Sequence, residues 1–542
     1  MMSAPAPAPA AARGTWFQSY ACARIASFVA GTLTVLGFAP FHLFPLPLLT
    51  LALLFGLWVN ASTPRRAFAL GWYFGLGLFL AGVSWIYVSL HTFGAMPLPL
   101  GAAATLLFCA FLALFPALGG YVVGRSRSSD AVKLALLAPA VWMLIEWLRS
   151  WIFTGFPWLS VGYSQAPLSP LAGFAPVVGV FGISLIVAVI SGLLVLLVMQ
   201  ATRRRFAVVI IAVLLLLGFG LKQIEWTEPT GTQTTVSLLQ GNVAQDMKWR
   251  EDAMLATLDA YRAMALASKS QLIVMPETAL PLFLHQVPPA YLETLAAHAR
   301  QNKGDILIGV PERLQSGEYF NSVISLGSSP QQGYRKNHLV PFGEFIPLRP
   351  LLGWIVGVLA IPLQDFSRGE LDRGPLDIAG QRVAINICYE DVFGDEIIRQ
   401  LPEATMLINA SNVAWFGKSI APAQHVQISQ MRALETGRYM LRATNTGVTA
   451  VIDTHGQIVK AAEGFTTATV THTVPGYRGG TLFVLWGNYA ALLLAVSLWL
   501  IAAFSGKPKA QPPTLRQPAS RKPASQTTRK RKKASPPRSP AP

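Results

Sequence analysis

Three reactive side chains stand at the ends of apolar runs in the second half of this chain. Cys388 closes Val383-Ala384-Ile385-Asn386-Ile387 and precedes Tyr389-Glu390-Asp391. A thiol so placed is either a nucleophile or a small core filler. The other two cysteines, Cys22 and Cys109, lie in long hydrophobic stretches, so Cys388 has no evident disulfide partner. Glu277 follows Leu272-Ile273-Val274-Met275-Pro276. A carboxylate directly after a buried strand is placed at a sheet edge, where active sites of α/β domains gather. Read alone it is more often a solvated loop residue. Lys336 lies in Tyr334-Arg335-Lys336-Asn337-His338-Leu339-Val340-Pro341-Phe342-Gly343-Glu344. Read alone, Arg335 and Lys336 are a surface pair and His338 a hydrogen-bonding histidine. Together, a carboxylate, an ammonium and a thiol supply a nucleophile, a base to take its proton and a cation to stabilise negative charge.

The elements around them alternate. Strand-like runs cover 235–239, 272–275, 306–310, 322–326, 383–387 and 406–409, with helical stretches at 251–269, 289–302 and 423–438. Short continuously apolar strands between amphipathic helices predict an α/β domain whose sheets are covered by helices. The run 446–453, followed by His455-Gly456, predicts a late hairpin. About 260 residues, 222–482, are ample for one such domain.

The rest of the chain is a different material. Of 542 residues 52% are hydrophobic and 13% charged, and the mean hydropathy is +0.44; soluble domains carry about 25% charge. Eight apolar segments predict membrane spans near 20–39, 45–61, 67–90, 98–123, 132–152, 175–200, 206–221 and 483–504. Seven spans thus form a membrane region over 20–221, and one follows the α/β domain. Arg65, Arg66, Arg125, Arg127, Lys133 and Arg203 to Arg205 fall in alternate loops, while 40–45 and 91–97 hold no Lys or Arg. Basic loops stay cytoplasmic. Both termini therefore read as cytoplasmic and 222–482 as extracytoplasmic. Residues 1–19 read as a disordered leader, and span one as a retained anchor. Eleven of the +17 net charges lie in 505–542, which holds no acid, leaving +6 elsewhere. That Pro-, Ser- and Lys-rich tail predicts disorder, able to lie on anionic lipid. No folded recognition element accompanies it, so nucleic acid is not an expected partner.

Met-Pro-Glu, Tyr-Arg-Lys-X-His-Leu-Val-Pro-Phe-Gly-Glu and Ile-Cys-Tyr-Glu-Asp, in that order, resemble the nitrilase, or carbon–nitrogen hydrolase, superfamily. Enclosed by membrane spans, they look like its membrane-integrated branch, the apolipoprotein N-acyltransferases. Gln240 to Trp249 and Ala414-Trp415-Phe416-Gly417 carry the same likeness. The resemblance implies an α-β-β-α sandwich and a catalytic Glu277-Lys336-Cys388 triad, with Glu344 orienting Lys336 or an incoming amine. It implies acyl transfer from a phospholipid, through a Cys388 thioester, to the α-amine of a diacylated apolipoprotein, in the inner membrane of a bacterium. It implies no cofactor or metal, and a monomer is expected. The backbone N–H of Tyr389 is a candidate oxyanion donor. Tyr389, Glu390, Trp249, Trp415 and Phe416 are candidate substrate contacts, with core packing the alternative for the aromatic ones. Residues 351–363, too short to span a bilayer, are expected to form a lipid-touching arm anchored by Trp354, or else a core helix. In the family pattern Ser-Asn is followed by Asp, where this chain has Val413, so a polar role is lost there. His425 stands alone in sequence and reads as structural. Two rival readings remain: a membrane-tethered amidase using water, and a non-catalytic membrane scaffold.

Overall fold

The computed structural model describes residues 20–505, apart from 249, 347–349 and 351–365. The expected leader, the tail beyond 505, Trp249 and the 351–363 arm with Trp354 lie outside the described residues.

Among the described residues, six helical segments are long and apolar enough to cross a membrane: Tyr20–Gly37, Pro64–Val83, Leu98–Arg125, Asp130–Arg149, Pro170–Met199 and Ala201–Leu221. Two shorter apolar helices, Leu46–Asn60 and Tyr489–Ser505, complete the eight expected segments. The first helices are α1 (Tyr20–Thr34), α2 (Leu46–Asn60) and α3 (Pro64–Val83), of which α1 and α3 pack closely through small residues. A Cβ on Gly31 would meet the Phe74 carbonyl at 1.9 Å, and one on Gly77 the Phe28 carbonyl at 2.1 Å. The third segment ends as a helix at Val83, short of the expected 90. The chain then turns so that Trp85 and a π-helical turn at Val88–Phe93 lie against the α/β domain. The bundle continues with α4 (Leu98–Leu112), α5 (Leu114–Arg125), α6 (Ala138–Arg149), α7 (Ala175–Met199) and α8 (Arg204–Leu221).

The α/β domain contains two six-stranded sheets. The first has the order β12-β1-β2-β3-β4-β5, built from β1 (Glu228–Gln240), β2 (Leu272–Val274), β3 (Asp305–Arg313), β4 (Tyr319–Gly327), β5 (Gly333–Arg335) and β12 (Ala468–Arg478). The second has the order β11-β10-β9-β8-β7-β6, from β6 (Leu376–Ile378), β7 (Gln381–Ile387), β8 (Met406–Ser411), β9 (Met440–Thr444), β10 (Ala450–Ile452) and β11 (Ile458–Ala461). Each sheet has three central parallel strands and antiparallel edges. The expected late hairpin is β9, β10 and β11, paired antiparallel in succession.

Alternation along the strands decides the layers. Val383, Ile385 and Ile387 of β7 meet Val236 and Leu238 of β1 in the core between the sheets. Ala384, one residue out of phase, meets Ala433 on the far side. Helices α9 (Glu251–Ala267) and α10 (Pro289–Gln301) cover the first sheet through Leu258, Tyr261 and Leu295. Helix α11 (Ala421–Thr436) lies over the second, and α12 (Tyr489–Ser505) closes the chain. The result is an α-β-β-α sandwich.

Sandwich and bundle are not separately cored. Tyr389, Val392, Phe393, Ile428 and Met431 share one hydrophobic cluster with the bundle helices. Polar side chains of α11 fasten the junction: Gln424 Oε1 accepts from the indoles of Trp85 (3.2 Å) and Trp158 (2.8 Å). Gln427 Oε1 accepts from Ala39 N at 2.9 Å and Glu435 Oε1 from Val180 N at 2.8 Å. Buried amides and carboxylates are tolerated there because each has a fixed partner.

Candidate active site

Glu277, Lys336, Glu344 and Cys388 converge where β2, β5 and β7 end. Strand β2 runs parallel between β1 and β3, and Met275 N still bonds Leu307 O at 2.8 Å. Pro276 stops the ladder, and Glu277 follows, 7% exposed. The turn fits only because position 309 is glycine: a Cβ there would lie 2.1 Å from the Pro276 carbonyl and 2.9 Å from Glu277 Cα. Lys336 comes directly after β5, 1% exposed, its N–H donating to Asn321 O at 2.8 Å.

Lys336 Nζ donates to Glu344 at 2.9 Å and stands 3.6 Å from Glu277 Oε1. Asn321 of β4 joins the two carboxylates: its Nδ2 donates to Glu277 Oε1 at 2.7 Å and Glu344 Oε1 at 3.0 Å. The other Glu277 oxygen accepts from Asn412 N at 2.8 Å, and the other Glu344 oxygen from Val340 N at 2.8 Å. Burial works against the Lys336 ammonium, but Glu344 and then Glu277 more than offset it, and its pKa lies above the ordinary lysine range. Lys336 is a fixed cation.

Cys388 has φ +55°, a left-handed conformation that costs a non-glycine residue about 1–2 kcal/mol. The strain sits where the strand turns into a short 3-10 helix, Cys388–Val392. Asn409 Nδ2 donates to the Cys388 carbonyl at 3.0 Å. Arg442 donates in turn to Asn409 Oδ1 at 2.8 Å, to Asp391 at 3.2 Å and to His425 Nδ1 at 2.7 Å. A guanidinium only donates, so Nδ1 accepts and His425 Nε2–H donates to Asp391 at 2.7 Å. His425, alone in sequence, belongs to a buried network under the Cys388 turn. Burial and then Arg442 keep it below the ordinary histidine value, so it is neutral.

The thiol itself is pushed up to about 12, first by burial and then by the charge of Glu277, with Lys336 pulling the other way. The resting group is therefore the thiol. A carboxylate that accepted the thiol proton would no longer disfavour the thiolate, an arrangement able to couple proton transfer to attack by sulfur.

Glu390 and Tyr389, candidate substrate contacts in the sequence, are both buried. Glu390 is buried and accepts from Ile387 N (2.7 Å), Asn337 N (2.7 Å), His338 N (3.0 Å) and Tyr334 OH (3.0 Å). It is a strut between the Lys336 loop and the Cys388 turn. Burial raises it to about 7, against the pull of Lys336 and these N–H groups. The Tyr389 ring packs with Trp158 and Phe156 of the bundle at 6.5 and 6.4 Å, and its hydroxyl donates to Gly155 O at 3.1 Å. Both residues lie in the short 3-10 helix that begins at the left-handed Cys388. His338 spans the same junction, between Glu396 (2.7 Å) and Thr154 O (2.9 Å). Trp415 and Phe416 pack on Phe93 (6.0 Å) and Trp85 (4.5 Å) and remain partly exposed at that seam. Val413 is fully buried, beside Asn412, whose N–H serves Glu277.

Asn321, Asn412 and Lys248 were not identified from sequence. Asn321 had one signal, a polar residue inside the apolar run of β4; Lys248 lies in the turn after β1, with its Nζ 3.4 Å from Glu277 O.

Two families match this chain. Residues 30–193 match the apolipoprotein N-acyltransferase N-terminal domain and residues 235–479 match carbon–nitrogen hydrolase. An apolipoprotein N-acyltransferase of Nitrosomonas europaea is 54% identical over 489 residues, 90% of this chain and 98% of that one. One of Methylococcus capsulatus is 45% identical over 480 residues, 88% and 95%. Among solved structures, an amidase from Nesterenkonia sp. is 16% identical with a TM-score of 0.34, covering 44% of this chain and 90% of that one.

Proposed function

The chain belongs to the apolipoprotein N-acyltransferase family, and we propose on that premise that it moves a fatty acyl chain from a phospholipid to the N-terminal amine of a lipoprotein through a thioester on Cys388. Glu277 takes the thiol proton as Sγ bonds the ester carbonyl carbon, and the carbonyl electron pair moves to oxygen beside Lys336. Collapse breaks the ester C–O bond, and Glu277 returns the proton to the departing glycerol oxygen. A lysophospholipid leaves and the acyl group stays on sulfur.

In the second half the α-amine of the S-diacylglyceryl cysteine attacks the thioester and loses a proton to Glu277. Collapse forms the amide and expels the sulfur, which recovers that proton. Glu344 acts through Lys336, as a positioning residue, by its 2.9 Å contact and its anchor on Val340 N.

One observation carries the lipid reading over a water-using amidase. The residue after the nucleophile, Tyr389, is bonded to Gly155 and packed on Trp158 of the membrane bundle. The thiol is thereby tied to the bundle, where an ester can reach it with its acyl chains still in lipid. Withdrawing those chains into water would cost about 0.8 kcal/mol per methylene. The basic loops at Arg65, Arg125 and Arg203 support an extracytoplasmic site with cytoplasmic termini. Purified protein in detergent micelles, given phospholipid and a diacylated lipopeptide, is expected to yield lysophospholipid and triacylated peptide in equal amounts. Lipid-independent hydrolysis of simple amides, with no peptide acylation, would overturn the reading.

A further inference from the structure

Lys248 is a charged side chain at this site that the chemistry above leaves unused. It sits in the turn after β1, 3% exposed, and donates to the Glu277 carbonyl at 3.4 Å. Among the described residues it has no ion-pair partner, whereas Lys336 holds Glu344 at 2.9 Å and stands 3.6 Å from Glu277. An ammonium buried without a counter-ion is unfavourable, and such a group is retained where a negative charge arrives later. The titratable groups that face it are Glu277, from the β2 turn, and Cys388, from the β7 turn. Burial lowers Lys248 to about 8 against the pull of both, so it is cationic at neutral pH.

The charge of Lys336 is already met by two carboxylates in the resting site. Lys248 feels Glu277 from farther off and, among the described residues, forms no ion pair. We propose that Lys248 is a second catalytic cation, stabilising the negative charge that forms on the carbonyl oxygen as Cys388 attacks; this rests on the acyl-transfer reading. The S–C bond forms, the carbonyl electron pair moves to oxygen, and the thiol proton goes to Glu277. Lys248 keeps its own proton throughout. When the C=O bond re-forms, the alkoxide leaves with the proton from Glu277.

The test is single-turnover acylation of Cys388, followed by intact mass, for wild type, K248M and K248R. Each is given phospholipid and, separately, an uncharged p-nitrophenyl acyl ester. K248M is expected to be slower with both donors by about 100-fold, the scale of losing an oxyanion donor, with K248R recovering most of the rate. The wild-type rate is expected to fall as pH rises through about 8, and that of K248R to persist, because a guanidinium stays protonated. A K248M defect confined to phospholipid would assign Lys248 to the lipid phosphate and overturn the proposal. A wild-type rate in K248M would also overturn it. If K248M does not fold, the K248R profile decides: a falling limb unchanged from wild type refutes the role. Wild type that never acylates Cys388 fails the acyl-transfer reading itself, a separate result.

Discussion

Asn321 donates to Glu277 at 2.7 Å, and the same amide group reaches Glu344 at 3.0 Å. One neutral side chain thus holds two carboxylates around a single lysine. Asn321→Ala removes that hold and leaves buried oxygens short of donors. The expected cost is about 1–3 kcal/mol of stability and a drop in acylation on the order of 10–100-fold from misplacement. Asn321→Asp adds a third carboxylate and is expected to be worse in both thermal melting and single-turnover rate. Wild-type rates in either variant would contradict this geometry.

Position 309 tests the Glu277 turn from the opposite side. A Cβ 2.1 Å from Pro276 O forces the turn to move. Gly309→Ala is expected to reduce acylation by about 100-fold, whereas Gly374→Ala, with nothing within 4 Å of the added carbon, is expected to leave it near wild type. Equal activity of the two would show that Glu277 needs no such placement.

A thiol at about 12 holds roughly one part in ten thousand as thiolate at pH 8, against about a quarter for an ordinary cysteine. Raising a thiol pKa depletes thiolate at every pH below it. Alkylation of Cys388 by iodoacetamide is therefore expected to climb between pH 7 and 10 without a plateau. Charge then sets the sign for the variants. Lys336→Met removes a charge favouring thiolate and should slow alkylation; Glu277→Gln removes one opposing it and should speed alkylation while abolishing acyl transfer. A plateau near pH 8 would refute this electrostatic account.

Glu390→Gln exchanges a carboxylate that accepts from four donors for an amide with one accepting oxygen. Loss of about 1–3 kcal/mol is expected in melting. Acylation should fall with phospholipid and with a small soluble ester alike, since Glu390 sets the Cys388 turn. A defect for one donor only would return Glu390 to substrate binding.

Much of this architecture was legible because burial writes itself into sequence. The runs at 272–275 and 383–387 read as buried strands, and an α/β domain with helix-covered sheets followed from them, whereas the α-β-β-α sandwich was implied by the family resemblance. The eight apolar segments were equally visible, although the third ends at Val83 because Trp85 and Phe93 turn to meet Phe416 and Trp415. Which way a side chain leaves a turn is not written there. Tyr389 and Glu390 directly follow Cys388 and were candidate substrate contacts, with core packing the alternative for Tyr389; both are buried, after a left-handed Cys388. Asn321 escaped notice because a strand amide has no periodic signal, and Lys248 because an isolated lysine in a loop reads as solvated. His425 found its partners Asp391 and Arg442 only when three distant segments came together.

The central claim is that Cys388 carries the acyl group. Wild-type protein incubated with a phospholipid of defined chains, without acceptor, then digested and weighed, is expected to show the Cys388 peptide heavier by one acyl group, lost again on adding a diacylated lipopeptide. An unmodified Cys388 peptide, in protein that still makes triacylated lipopeptide, would contradict the account.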